Sequence, residues 1–287
     1  MLHSIIHAII DSIKLVPFLY ITYLLMEFIE HKVSKKNKET IKKSGKLGPM
    51  FGSLFGVFPQ CGFSVAATNL YAGRVITLGT LISVYLSTSD EMLPIFISEM
   101  VPAETIVKIL FTKFAIGMIA GFIIDFALRM ISKDKEDIKE EEKISEICEH
   151  DHCHCEKSIW KSALKHTANI FIFILVISIV INIAIHIIGE EKIAEFIQCN
   201  PLIGPLLAGL IGLIPNCAAS VIITKLYLGN LINVATMITG LLVSAGAGLA
   251  VLFKANKDVK ENMKIVALLY GISVVVGLII QMIGIQY

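Results

Sequence analysis

Apolar positions in this chain neither alternate with polar ones nor form the single stripe of an amphipathic helix. They come in long runs, among them residues 106–131, 170–188 and 266–285. About 18 or more consecutive residues with few charges are enough to cross the hydrocarbon core as a helix, and a soluble core would not need several such runs. The pattern predicts an all-α, polytopic membrane protein. A first helix covers about residues 5–28, where the lack of a basic start and of a small-residue cleavage site argues against a signal peptide. A segment broken by glycine and proline follows at 47–71, then helices at about 75–97 and 105–131. The same order recurs at 159–188, 202–227, 231–253 and 264–285, with a charged stretch over 132–157 between the two sets.

The recurrence is a duplication. Shifted by 156 residues, GPMFGSLFGVFPQCGFSVAATNLYAGRVITLGT aligns with GPLLAGLIGLIPNCAASVIITKLYLGNLINVAT without a gap. Gly48/Gly204, Pro59/Pro215, Cys61/Cys217, Ser64/Ser220, Thr68/Thr224, Tyr71/Tyr227 and Gly73/Gly229 match. Chance readily pairs apolar residues of two membrane segments, but not proline, cysteine, serine, threonine and tyrosine in one register. The chain therefore divides into a first membrane repeat, 1–131, a cytoplasmic linker, 132–157, and a second membrane repeat, 158–287.

The parity of the repeats turns on the broken segments, which carry Pro59-Gln-Cys-Gly and Pro215-Asn-Cys-Ala near their centres. Proline removes a helical donor and clashes with the preceding turn. Irregular backbone at membrane depth is tolerated only where protein covers it or it lines a cavity. If each broken segment crosses as a kinked helix, the stretch 31–46, with its seven lysines, is divided from the other basic loops. If each enters and returns as a helical hairpin, the second half is inverted. Then 31–46, the Arg74 turn, 129–165 and 253–264 share the cytoplasmic side, and 98–108 and the Glu190-Glu191 loop lie outside. The hairpin reading gives two inverted repeats, each with three spanning helices and one broken hairpin, about ten helical segments in all. A kinked crossing is the plainer alternative.

Composition agrees: 55% of residues are hydrophobic and 17% charged, with a mean hydropathy of +0.75, where soluble domains carry about 25% charged residues. A net charge of +1 gives no reason to expect a polyanionic partner, and no nucleic-acid motif occurs. No Walker-type loop is present, so ATP would have to come through another chain. The expected setting is the plasma membrane. The expected partners are the lipid bilayer and a small inorganic or organometallic solute, with a homo-oligomer left open and no cofactor required.

Chemistry concentrates in three places. Cys61, Ser64 and Thr68 stand at i, i+3 and i+7, on one face of a helix, and Cys217, Ser220 and Thr224 repeat the stripe. With Gln60 and Asn216 they form the candidate substrate site. Half-helices that begin at these cysteines present free N–H groups and the positive end of a dipole. That favours thiolate, and thiolates select soft metals and metalloids. Read plainly, the cysteines are small buried hydrophobes and the hydroxyls pack helices; repetition beside Pro-Gln and Pro-Asn favours the site. Second, Ser87, Ser89, Asp90 and Glu91 interrupt a helix of the first half where the second half has the uncharged Val-Ser-Ala-Gly-Ala of 243–247. An acid at membrane depth usually faces a cavity and marks an ion path, so these are the ion-coupling candidates; an early helix end with solvated acids is the alternative. Third, Cys148, His150, His152, Cys153, His154 and Cys155 crowd the linker too tightly for a folded zinc finger. They suit flexible capture of a soft metal ion, zinc, copper or a related one. The six cysteines as a set, Cys199 included, do not have the spacing of a disulfide scaffold. Weaker signals are His166, Asn169, Asn182 and His186 in the fifth long helix, where interhelical hydrogen bonding is an equal explanation.

The run Pro59-Gln-Cys-Gly-Phe-Ser, with Asn69-Leu-Tyr, Gly79-Thr-Leu and Leu86-Ser-Thr-Ser-Asp-Glu-Met-Leu-Pro94, resembles the ten-helix heavy-metal exporters, a family also labelled arsenic efflux or manganese transporter. It is more distantly similar to the organoarsenical permeases. The resemblance extends over essentially the whole chain, including the His/Cys linker and Pro215-Asn-Cys-Ala-Ala-Ser. It implies ten helices, which two short helices per hairpin would supply, and export of a metal or metalloid. Residues and resemblance together point to a secondary transporter, an efflux permease or antiporter, rather than an enzyme. A membrane subunit of a larger machine and a thiol- or metal-dependent intramembrane enzyme are the other classes. Flux through reconstituted vesicles, without turnover or a partner, separates the first from both.

Overall fold

The computed structural model describes residues 19–24, 47–131, 159–188 and 203–284, with a few single positions besides. The lysine-rich stretch 31–46, Cys199 and the linker cluster Cys148, His150, His152, Cys153, His154 and Cys155 lie outside the described residues. Every regular element among the described residues is a helix.

The first broken segment forms α1, Gly48–Gly56, and α2, Gly62–Ala72. Pro49 sits in the first turn of α1, where a missing N–H costs nothing. Pro59 stands in the gap, where it cannot continue the helix. At nine and eleven residues, these helices are about 13 and 16 Å long. Neither alone spans a hydrocarbon core of about 30 Å. A turn containing Arg74 in the left-handed region (φ 57°) leads to α3, Leu78–Ser87, whose N-cap Thr77 accepts from the Thr80 amide. Then come α4, Met92–Ser98, α5, Ala103–Ile131, and, beyond the linker, α6, Ile159–Ile188. The second half repeats the boundaries in register: α7, Gly204–Gly212, α8, Ala218–Leu228, and α9, Val234–Val243, the last capped by Asn233 as α3 is by Thr77. It closes with α10, Ala247–Ala255, and α11, Val259–Ile283.

Three expected helices are corrected. The helices read as 75–97 and 231–253 are each broken, at 88–91 and at 244–246. No proline causes this. In the first half, Ser87, Thr88 and Ser89 turn their hydroxyls onto the carbonyls of Ser83, Val84 and Ser87, which offers the backbone an alternative to the helix ladder. In the second, Gly246 adopts φ 57° and ψ −140°, a conformation open to glycine. The last helix starts at Val259 rather than Lys264, because Asp258 caps it by accepting from the amides of Lys260 and Glu261.

Glycines set the closest packing. A Cβ on Gly48, Gly52 or Gly56 would lie 2.2, 2.4 or 2.1 Å from the hydroxyls of Thr80, Ser83 or Ser87. Both series ascend together, so α1 and α3 run in the same direction with their backbones nearly touching. α2 runs the opposite way, since Thr68 meets Tyr85 and Cys61 meets Asp90. The segment 48–72 therefore turns back at Pro59. In the second half Gly204 meets Thr236 and Gly212 meets Gly240, so α7 likewise runs with α9. Between the halves the contacts are reciprocal: α10 packs on α2, and α4 packs on α8. One apolar core joins Leu81, Tyr85 and Met92 to Ile223, Leu241 and Leu249.

Four described segments are long and apolar enough to cross a bilayer: Ala103–Met130, Ala163–Ile185, Val234–Ala255 and Val259–Ile283. The window over Val234–Ala255 is 94% buried, against 28% or less for the others, so α9 and α10 form the centre of the bundle. Exposed apolar residues such as Phe111, Ile123, Val176 and Val275 line the outer helices, as a surface facing lipid requires.

Candidate metal or metalloid site

The four breaks meet at one point. Cys61 and Cys217 occupy the N-cap positions of α2 and α8, and their Sγ atoms lie 2.8 Å apart. Asp90, from the break between α3 and α4, receives the Cys61 thiol at 3.5 Å on Oδ2 and the Ser220 hydroxyl at 3.1 Å on Oδ1. One ligand atom from each of Cys61, Asp90 and Cys217 lies within 4.8 Å of the other two. All three residues, and Ser220, are buried. The fourth break contributes space rather than ligand. Gly246 is the repeat counterpart of Asp90, and a Cβ on it would stand 3.0 Å from Asp90 Oδ2 and 3.5 Å from Cys61 Cβ. The carboxylate thus fills the volume that glycine leaves empty, at the positive ends of two half-helices.

This arrangement suits a soft ion. Two sulfurs and one carboxylate oxygen are a ligand set for zinc-like or thiophilic cations, and a pair of thiols is what trivalent metalloids take. Two of the ligands come from one half and one from the other, so a bound ion would bridge the repeats.

The other expected residues sit around this centre in different ways. Ser64, Thr68 and Thr224 turn their hydroxyls to carbonyls of their own helices. Thr68 also meets the Tyr85 hydroxyl at 2.6 Å and the Gly248 carbonyl at 3.2 Å. Ser220 makes the same back-bond and in addition reaches Asp90. Asn216 donates to Asn182 Oδ1 of α6 at 3.0 Å, which ties the second break to that helix. Gln60 lies in the first break, partly buried. Ser87 and Ser89 satisfy nearby carbonyls, and Glu91 stands at the N-cap of α4 without a capping bond. His166 stacks on Tyr23, whose hydroxyl donates to Asn69.

Residues 2–188 match the family described as "Putative, 10TM heavy-metal exporter". The chain belongs to this family. No curated protein and no solved structure matches it. The family match contains Cys61 and Asp90 and ends before Cys217 and Ser220. With the four apolar spans, membership makes the chain a multi-pass integral membrane protein.

Two residues in or near this centre were not singled out in the sequence. Lys113 of α5 is fully buried and donates to the carbonyls of Thr88 and Leu241, the latter at 3.0 Å. It is a fully buried cation within an apolar run, the signal that marks an intramembrane functional group. Gly246 gave only a negative signal, as the uncharged counterpart of Asp90.

Proposed function

We propose that this chain is a secondary transporter, an efflux permease, for a soft metal ion or a trivalent metalloid. Cys61, Cys217 and Asp90 hold the cargo, Ser220 orients the carboxylate, and Asp90 also carries the coupling ion. The observation that supports this best is the meeting of two thiols and one carboxylate, drawn from both halves, inside a buried centre. A carboxylate that is alternately free and cargo-bound lets proton release and cargo binding share one group. The linker thiols and imidazoles serve as a capture site for the soft ion ahead of the membrane path.

Inverted repeats around this centre are part of the proposal. Arg74, at the start of α3, pairs with Glu261, just after α10, at 2.7 Å. The path α9–α10 thus ends beside the point where α3 begins, as oppositely directed halves require. Alternating access by rocking one half against the other around a fixed central site fits that plan.

Vesicles reconstituted with purified protein test the reading. Cys61→Ser and Cys217→Ser should each lower cadmium or arsenite flux at least about tenfold, as loss of a metal ligand does. Normal flux in both single variants and in the double variant would show that the thiols only pack the breaks.

A further inference from the structure

Cys61 and Cys217 stand closer together than a metal would hold them. Two sulfurs on one tetrahedral zinc-like ion, each bonded at about 2.3 Å, lie about 3.8 Å apart. In a disulfide they lie about 2.0 Å apart. The two Sγ atoms are 2.8 Å apart, between these limits. Cargo must therefore spread the pair by about 1 Å, whereas oxidation must draw it together by about 0.8 Å. The same sulfurs cannot do both at once. Both are free thiols, and each caps the N-terminus of a half-helix, one in each half of the molecule. Each also follows a proline-bearing break, so neither is held inside a continuous helix. Both are buried, which admits a small oxidant more readily than a bulky thiol reagent.

We propose that Cys61 and Cys217 are a redox modification site, converted by a peroxide to a disulfide that withdraws both sulfur ligands, and restored by a dithiol. For its effect on transport, the inference rests on the metal site proposed above. One sulfur attacks a peroxide oxygen, the O–O bond breaks, and the leaving oxygen departs as water with that thiol's proton. The other sulfur then attacks the sulfenic sulfur, the S–O bond breaks, and a second water leaves with the second thiol proton. Two electrons pass from the sulfurs to the peroxide. Reduction runs by exchange: the dithiol becomes a disulfide and its two protons return to the cysteines. Cargo and oxidant thus compete for one pair of sulfurs. A bound soft ion protects the pair, and an empty site under oxidative conditions shuts itself off.

The test uses hydrogen peroxide on the full chain in vesicles, carrying Cys148→Ser, Cys153→Ser, Cys155→Ser and Cys199→Ser and a protease site inserted within 132–157. After oxidation the protein is dissolved in detergent, alkylated, cut in the linker and run on a non-reducing gel. The halves should migrate as one band after peroxide and as two after dithiothreitol. With Cys61→Ser added they should migrate as two throughout. Cadmium flux in the same vesicles should fall at least about tenfold on oxidation, as for loss of a metal ligand, and return with dithiothreitol. Two bands after peroxide would overturn the proposal, and so would a complete cross-link with undiminished flux. Saturating cadmium added before peroxide should keep the halves separate. A cross-link that forms equally with and without cadmium would overturn the metal site and leave the disulfide standing. If the reduced protein moves no cadmium, the transport reading fails, and the cross-link with its reversal decides the disulfide alone.

Discussion

At the scale of single residues the site depends on a break in symmetry. Asp90 and Gly246 occupy equivalent positions in the two halves, and only one of them can carry a side chain. Gly246 sits at φ 57° and ψ −140°, and the space its Cβ would take is already held by Asp90 Oδ2 at 3.0 Å. Gly246→Ala should therefore cost about 1–3 kcal/mol through backbone strain, and it should push the carboxylate away from Cys61. The expected readout is a lower unfolding temperature of the detergent-purified protein, together with weaker cadmium binding. An unchanged unfolding temperature would show that the loop relaxes around the methyl group. The acid's lack of an acidic counterpart was legible in the sequence. That its glycine counterpart makes room for it was not, because 156 positions separate the two and only the fold brings them together.

At the scale of elements, the fold is built from half-length helices held by close backbone contact. α1 lies along α3 through Gly48, Gly52 and Gly56, with hydroxyl-bearing Thr80, Ser83 and Ser87 opposite. In lipid no hydrophobic force drives helices together, so small residues that allow close approach carry the association. Gly52→Ala places a Cβ 2.4 Å from Ser83 Oγ and 2.9 Å from the Thr80 carbonyl. Overpacking of this kind costs about 1–3 kcal/mol. Gly271→Ala is the control, since nothing lies within 4 Å of a Cβ there. It should be neutral, or stabilising by up to about 1 kcal/mol from helix propensity. Thermal unfolding of the two variants in the same detergent checks the contrast, and equal behaviour would mean that α1 is free to move off α3. The proline breaks were readable because proline cannot continue a helix. The polar run Ser87–Glu91 marked an interruption at 88–91, which hydroxyl back-bonding turns into a break; the break at 244–246 was not readable, because it lies inside an apolar run and depends on one glycine conformation.

At the scale of the molecule, basic groups gather at one end. The Arg74 turn, clamped to Glu261 by two hydrogen bonds of 2.7 Å, shares that end with the loop before α11. Tyr71 and Asn256 also reach Glu261, at 2.6 and 2.9 Å. The equivalent turn in the second half carries Asn230 in place of Arg74 and borders a cavity of about 290 Å³ lined by Leu231, Asn233 and Thr236. One end is thus tied by charge, and the other has a neutral turn beside a cavity. By the positive-inside rule the tied end is expected in the cytoplasm. A single cysteine at position 257, in a chain with no other thiols, should react with a membrane-impermeant reagent only after the membrane is opened. Ready labelling in intact cells would reverse the assignment.

The sequence alone carried the all-helical membrane class, the duplication, the proline breaks, the paired cysteines and the isolated acid, because each follows from local composition or from matching residues in register. Cys61, Asp90 and Cys217 were all named from the sequence, but as two separate sites. Tertiary structure joined them, since distances of 2.8 and 3.5 Å between residues 156 and 29 positions apart are set by how four breaks converge. It also left Ser64, Thr68 and Thr224 bonded to their own helices, because a serine or threonine hydroxyl inside a helix can reach a carbonyl one turn back. Lys113 was visible as a charge, but only the fold brings carbonyls of two helix ends, one from each half, onto its ammonium.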